Sequence, residues 1–307
     1  MAKAVTMRMT PVEWLLLIVL GLCWGCTFFF NEIAVLEVPP LLIILFRVSL
    51  AAAILWVAVI VSGAPVPREG SVWRALLVMA VINSAVPFFL IVWGQVHITG
   101  GLASILIATS PLFAVIAAHF FTTDEGFTLG KVLGVLAGLT GVVFLIGPEL
   151  LGDIGSDFLG QLALLGAAFL YAISAIYGRR FSARKVQPLI VATGQMTMSV
   201  VLLLPIALIF EPPGALESPG IPAWGAMIGL AVISTSFAYL IYFRILATAG
   251  AINILLVNFL VPVSALLLGI FILGETLTTE QMIGMAFIAL GLALIDGRVF
   301  QRLRGGA

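Results

Sequence analysis

The sequence predicts an all-α integral membrane protein, with ten transmembrane helices arranged as two inverted five-helix repeats. Three observations lead there: a composition that water cannot solvate, a segregation of basic residues that fits ten crossings, and an internal repeat with an odd number of spans. Of 307 residues, 62% are hydrophobic and 9% charged, against about 25% charged in an ordinary soluble domain. So little charge cannot cover a folded surface, and the chain's solvent must be lipid. In lipid every backbone polar group needs an internal partner, so only helices and closed barrels cross. The apolar runs are continuous over about 20 residues, the length of a helical crossing. Barrel strands would alternate polar with apolar over about 10 residues.

Pro, Gly and charge clusters divide the chain into spans 12–31, 40–62, 72–96, 99–121, 129–147, 158–178, 187–210, 221–247, 250–273 and 280–297. Turn residues at His97-Ile98-Thr99 and Thr248-Ala249-Gly250 split two stretches too long for one crossing. Charge placement tests this division. With a cytoplasmic N-terminus, the cytoplasmic segments hold Lys3, Arg8, Arg68, Arg74, Lys131, Arg179, Arg180, Arg184, Lys185, Arg244, Arg298, Arg302 and Arg304. Arg47, inside the second span, completes the 14 basic residues, and the opposite loops have none. The positive-inside rule is met, which places both termini in the cytoplasm and a multi-pass chain in the cytoplasmic (inner) membrane. Residues near Asp153 are then outside and Arg184 inside.

The first apolar run follows Lys3 and Arg8, as in a signal peptide, but Gly21-Leu22-Cys23-Trp24 is too bulky for a cleavage site. It is expected to be an uncleaved span. Cys23 and Cys26 both lie within it and read as small apolar fillers. Two ligands are too few for a structural metal. No metal, cofactor, nucleic-acid partner or obligatory protein partner is expected; the partners are a small-molecule substrate and the lipid bilayer.

The chain contains itself twice. Pro111 is followed by Glu125, Gly134 and Gly141, and Pro262 by Glu275, Gly284 and Gly291. Pro40-Leu41-Leu42 likewise matches Pro188-Leu189-Ile190. The repeats occupy 12–147 and 158–297, five spans each. Five is odd, so the second enters the membrane inverted relative to the first. Exchange of conformation between inverted repeats is how many secondary transporters expose a site alternately to either side.

With Gly21-x-x-Trp24-Gly25, Pro39-Pro40 before Arg47, and Gly274-Glu275-x-Leu277 before the last span, the chain resembles the drug/metabolite transporter superfamily, in its ten-helix EamA-type metabolite-exporter branch. The resemblance covers residues 12–297. It implies export of small metabolites, commonly amino acids or amphipathic compounds, and within the branch an aromatic-amino-acid exporter. The second half departs from the pattern, with Tyr171 opposite Trp24 and Gln195 opposite Arg47.

The site is argued from polarity at mid-depth, where polar groups are costly and usually face protein or water. Candidate substrate-binding residues are Trp24, Asn83, Ser84, Phe88, Thr109, Tyr171, Ser236, Tyr239 and Asn258, with Pro87, Pro111 and Pro262 as hinges. Aromatic walls would stack flat apolar substrates and attract cations. Spans one, three, four, six, eight and nine therefore read as pathway helices. Spans five and ten, glycine-rich and nearly free of polar groups, read as packing helices. A Ser or Thr in a membrane helix often only bonds its own backbone, and Trp24 and Tyr171 can equally be packing residues. Arg47 lies about 10 Å below Pro40. It is expected to snorkel outward or to pair with Glu32 or Glu37, with a grip on a substrate carboxylate as the alternative. His97 and His119 read as structural groups. Glu13, Glu32, Glu125, Glu275 and Asp296 sit at span ends, where water should keep them ordinary, so flux is expected to follow the substrate gradient.

Two other functions are weaker. An exporter of amphipathic drugs or cations fits the aromatic content. An intramembrane enzyme would need convergent ionisable groups at one depth, and no Asp or Glu lies at mid-depth. No Gly-Lys-Ser/Thr phosphate loop occurs, which excludes ATP hydrolysis.

Overall fold

Among the described residues the chain is helical throughout, because each span closes its backbone hydrogen bonds internally. The computed structural model describes residues 9–121, 128–150, 155–211 and 218–296. Lys3, Arg8, Glu125, Asp153, Arg298, Arg302 and Arg304 lie outside the described residues, as does the side chain of Asp296. Eight helices are long and apolar enough to cross a membrane: α1 Pro11–Ala34, α2 Pro40–Ser62, α3 Gly70–Gly94, α4 Gly100–Phe120, α5 Leu129–Ile146, α6 Asp157–Ala183, α7 Pro188–Phe210 and α8 Ile221–Thr248. Two shorter apolar helices, α9 Val257–Leu273 and α10 Thr279–Ile295, complete ten.

Local chemistry sets the ends. A capping box joins Thr10 to Glu13 at the start of α1, satisfying amides that have no intrahelical partner. Proline opens α2 and α7, where its missing N–H costs nothing. Gly63 and Gly274, both at positive φ, close α2 and α9.

Helix α9 departs from the expected span. Residues 250–273 read as one crossing, but a single turn, Ala251–Ile254, precedes a break at Leu255-Leu256, and the main helix begins at Val257. The amides of Asn258 and Phe259 bond carbonyls three residues back, at Leu255 and Leu256, so the helix tightens there. Helix α4 is also interrupted, at Ala108-Thr109, one residue before Ser110-Pro111.

The packing follows a two-fold relation between the halves. Helix α1 lies against α8 and α9 as α6 lies against α3 and α4, and α2 and α7 cross one another. Helices α5 and α10 pack together along glycine. A Cβ on Gly134 or Gly141 would come within 2.6 Å of the carbonyl of Gly291 or Gly284, and the reverse substitutions meet the same barrier. The backbones touch there, as expected of small-residue seams in membranes. Outward-facing Ile60, Val61, Phe210 and Phe271 stay exposed, the arrangement lipid permits.

The symmetry extends to a defect. Helix α3 contains a π-helical turn at Val81–Ala85 and α8 one at Val232–Phe237. They begin 151 residues apart, the same offset as Pro111 and Pro262. In α8 the hydroxyls of Thr235 and Ser236 donate to the carbonyls of Leu230 and Ala231, five residues back. Such turns widen a helix locally and concentrate at functional sites.

Candidate functional site

The two π turns face the crossing of α2 and α7, and the side chains gathered there form one polar layer. From α2, Arg47 is 4% exposed. Its Nε donates to Thr235 Oγ1 at 2.8 Å, and its guanidinium lies 3.9 Å from the centroid of the Phe88 ring. From α7, the buried Gln195 donates through Nε2 to the Tyr239 hydroxyl at 2.8 Å and accepts from Asn83 Nδ2 at 3.1 Å. Ser174 Oγ donates to Asn83 Oδ1 at 2.7 Å. The chain Ser174–Asn83–Gln195–Tyr239 thus links α6, α3, α7 and α8. Tyr171 closes one wall, packing against both major apolar clusters. Tyr171 and Tyr239 pack against the same apolar cluster as Phe88, the ring that covers Arg47.

Six residues proposed from sequence fall in or beside this layer: Asn83, Ser84, Phe88, Tyr171, Ser236 and Tyr239. Ser84 is fully buried on the first π turn, and its Oγ has no partner. Pro87 stands two residues past that turn and suits it, since its missing N–H is spared where the ladder is already interrupted. Pro111 opens a new helix segment after the α4 break, and Pro262 lies inside α9.

Three residues go elsewhere. Trp24 packs with the α8–α9 cluster and stands 5.8 Å from the Tyr242 ring. Thr109 donates to the Leu106 carbonyl at 2.6 Å and Asn258 to the Leu255 carbonyl at 3.1 Å, so both serve their own helix breaks. Helices α2 and α7, absent from the expected pathway set, supply the centre of the layer. Helices α1, α4 and α9 supply none of its side-chain bonds.

Two expectations are corrected. Arg47 neither snorkels nor pairs with an acid, because Glu32 and Glu37 are engaged with backbone amides of other helices. Glu32 accepts from Gly100 N at 2.8 Å and Glu37 from Gly220 N at 2.6 Å. The end carboxylates are also not all ordinary. Glu275 accepts from Gly101 N at 3.1 Å at the start of α4. Desolvation, then the neighbouring Glu32 carboxyl, raises its pKa to about 7. Glu211 reaches Leu42 N in the same manner, at 3.1 Å. These carboxylates tie neighbouring helices together by occupying helix N-termini, where anions are favoured.

The His97 ring meets Trp93 edge-on at 4.8 Å. Cys23 and Cys26 are free thiols. Among the described residues no His/Cys/Asp/Glu group could hold a metal.

The layer has recognition groups but no acid–base or nucleophilic pair, which fits binding and passage. A model of the EamA-like transporter family matches residues 12–147 and again 158–296. The uncharacterized transporter YoaV of Bacillus subtilis is 24% identical over 88% of this chain and 92% of its own. The uncharacterized inner membrane transporter YedA of Escherichia coli is 28% identical over 91% of this chain and 89% of its own. Protein PecM of Dickeya dadantii is 26% identical over 91% of each. A solved structure superposes with a TM-score of 0.68 at 22% identity, covering 96% of this chain and 99% of its own. Two family matches in tandem, full-length similarity to transporters and a ten-helix duplicated fold agree: the chain is a membrane transporter and belongs to the EamA-like transporter family.

Proposed function

We propose that the chain exports small metabolites, in particular amino acids with aromatic or other apolar side chains, across the cytoplasmic membrane by alternating access. One observation carries this reading. The polar layer is assembled from both repeats at their two-fold crossing and walled by Phe88, Tyr171 and Tyr239. Recognition groups set between mirrored halves are where a carrier holds its cargo, because either half can then open to its own side. The moving units are residues 12–147 and 158–297, and both termini face the cytoplasm. The substrate residues are Asn83, Ser84, Phe88, Tyr171, Ser236 and Tyr239, with Pro87, Pro111 and Pro262 as hinges; Trp24, Thr109 and Asn258 support from outside the layer.

Purified protein in liposomes provides the test. Flux of radiolabelled phenylalanine or tryptophan is expected to saturate and to be competed by its unlabelled counterpart. Linear, uncompeted flux would rule out a carrier for these compounds. Orientation is read separately, in a background without Cys23 and Cys26. Cysteine at position 153 should label from outside and cysteine at 184 should not; the reverse overturns the topology.

A further inference from the structure

Arg47 is a buried cation with no acidic partner among the described residues. Its guanidinium has five N–H donors, and the side-chain bond made within the chain is the one from Nε to Thr235. Thr235 is held in place to accept it, since its own hydroxyl donates to Leu230. No carboxylate among the described residues lies within ion-pair distance of the guanidinium. The acids that could have moved toward it are held on the amides of Gly100 and Gly220. Two further buried polar atoms on the flanking π turns have no partner, Ser84 Oγ and Ser234 Oγ. Phe88 covers one face of the guanidinium, and Tyr171 and Tyr239 pack against the apolar cluster that contains Phe88.

A buried charge without a partner costs several kcal/mol, and proteins seldom bear that without a use for it. The geometry points to a carboxylate-binding site: Arg47 takes the carboxylate of the transported molecule, and Phe88, Tyr171 and Tyr239 take its apolar body. This rests on the transport reading above and narrows it. A guanidinium offers two parallel N–H bonds to a carboxylate, and such bidentate, charge-assisted pairs are the strong ones. Among the described residues the layer contains no acid for an ammonium group. The α-amino group of an amino acid is therefore dispensable, and an amphipathic cation is repelled. The predicted class is the small organic monoanion with a flat or aliphatic body, amino acids being one subset.

Binding to the full-length protein in detergent separates the possibilities, using phenylpropanoate, phenylalanine and phenethylamine as probes. Phenylpropanoate is expected to bind within a few-fold of phenylalanine, and phenethylamine on the order of 10- to 100-fold more weakly, the value of a lost charge-assisted pair. Arg47→Gln copies the residue found in the other repeat. It should lose phenylpropanoate binding by a similar factor while unfolding at a temperature no lower than the unliganded parent. Arg47→Lys keeps the charge without the fork and should bind at an intermediate level. Phenethylamine binding as well as phenylpropanoate would overturn the assignment. So would an Arg47→Gln protein that is destabilised yet binds the anion normally, since Arg47 would then be structural. Saturable phenylalanine flux that is indifferent to Arg47 would leave the transport reading standing and remove only the carboxylate anchor. Absence of binding by all three probes would remove the anchor as well.

Discussion

Helix α2 places Arg47 where α7 places Gln195, and each reaches across the two-fold to the π turn of the opposite repeat. Arg47 bonds Thr235 on α8, while Gln195 bonds both Asn83 on α3 and Tyr239 on α8. The backbones match down to the offset of the π turns, but the chemistry does not. The first repeat contributes a charge with donors to spare, and the second an amide whose oxygen and nitrogen are both engaged. The repeats thus share an architecture, while unequal side chains give the site a polarity.

Equalising the repeats should be most damaging where it doubles the charge. Gln195→Arg would bury a second cation near Arg47 and break the chain to Asn83 and Tyr239. A loss of about 3–5 kcal/mol is expected, the cost of an uncompensated buried charge, seen as poor yield of folded protein and an early thermal transition. The repeat-related aromatics should separate next. Tyr171→Ala strips the wall beside Arg47 and should cut transport at least tenfold. Trp24→Ala should leave substrate affinity within a few-fold of the parent while costing about 3 kcal/mol in stability through a packing cavity. Equal losses of affinity in both variants would return Trp24 to the site.

A smaller contrast lies on the π turns. Asn83→Ala removes the link between Ser174 and Gln195 and should cost about 1–3 kcal/mol, because it leaves buried partners unsatisfied. Ser234→Ala, at the corresponding position of the second repeat, removes a hydroxyl whose oxygen has no partner. It should be neutral or slightly stabilising in denaturant titration. The smallest effect concerns pH. The Glu275 carboxyl is raised from 4.5 to about 7 in the folded protein by desolvation and Glu32, so the folded state holds a proton that the unfolded state releases. That stability is fully present below pH 4.5, is lost as pH rises through about 7, and stays lost above. Glu275→Gln should flatten this part of the stability profile and raise stability at pH 8. An unchanged profile would show that the carboxyl titrates normally.

Much of this was legible in the sequence, because apolar length, prolines and glycines act locally. Starts such as Pro40 and Pro188 and the stop at Gly63 fell where their chemistry puts them. The break in α9 was hidden because Leu255 and Leu256 carry no turn signal. At the site, Asn83, Tyr171 and Tyr239 stood out as polar or aromatic groups at mid-depth. Gln195 did not, because its partners lie 112 and 44 residues away in the chain. A signal for it existed in its alignment with Arg47, which reads as a departure from the repeat until the helix crossing is seen. Glu275 looked ordinary because its neighbour Glu32 belongs to a distant span, and proximity of that kind appears only on folding.

The seam between α5 and α10 bears on mechanics. Gly134, Gly141, Gly284 and Gly291 bring main chain against main chain, flanked by Leu145, Ile288 and Ile295, so that sliding one helix along the other would drive backbone into backbone. A contact of that kind behaves as a fulcrum, stiff in translation and permissive only of small rotation about itself. Under the proposed alternating access, the other eight helices would be levered around this fixed line, with amplitude growing toward the α2–α7 crossing. Spin labels across the seam, on α5 and α10, should keep one separation throughout the cycle, while labels on α3 and α8 should report two.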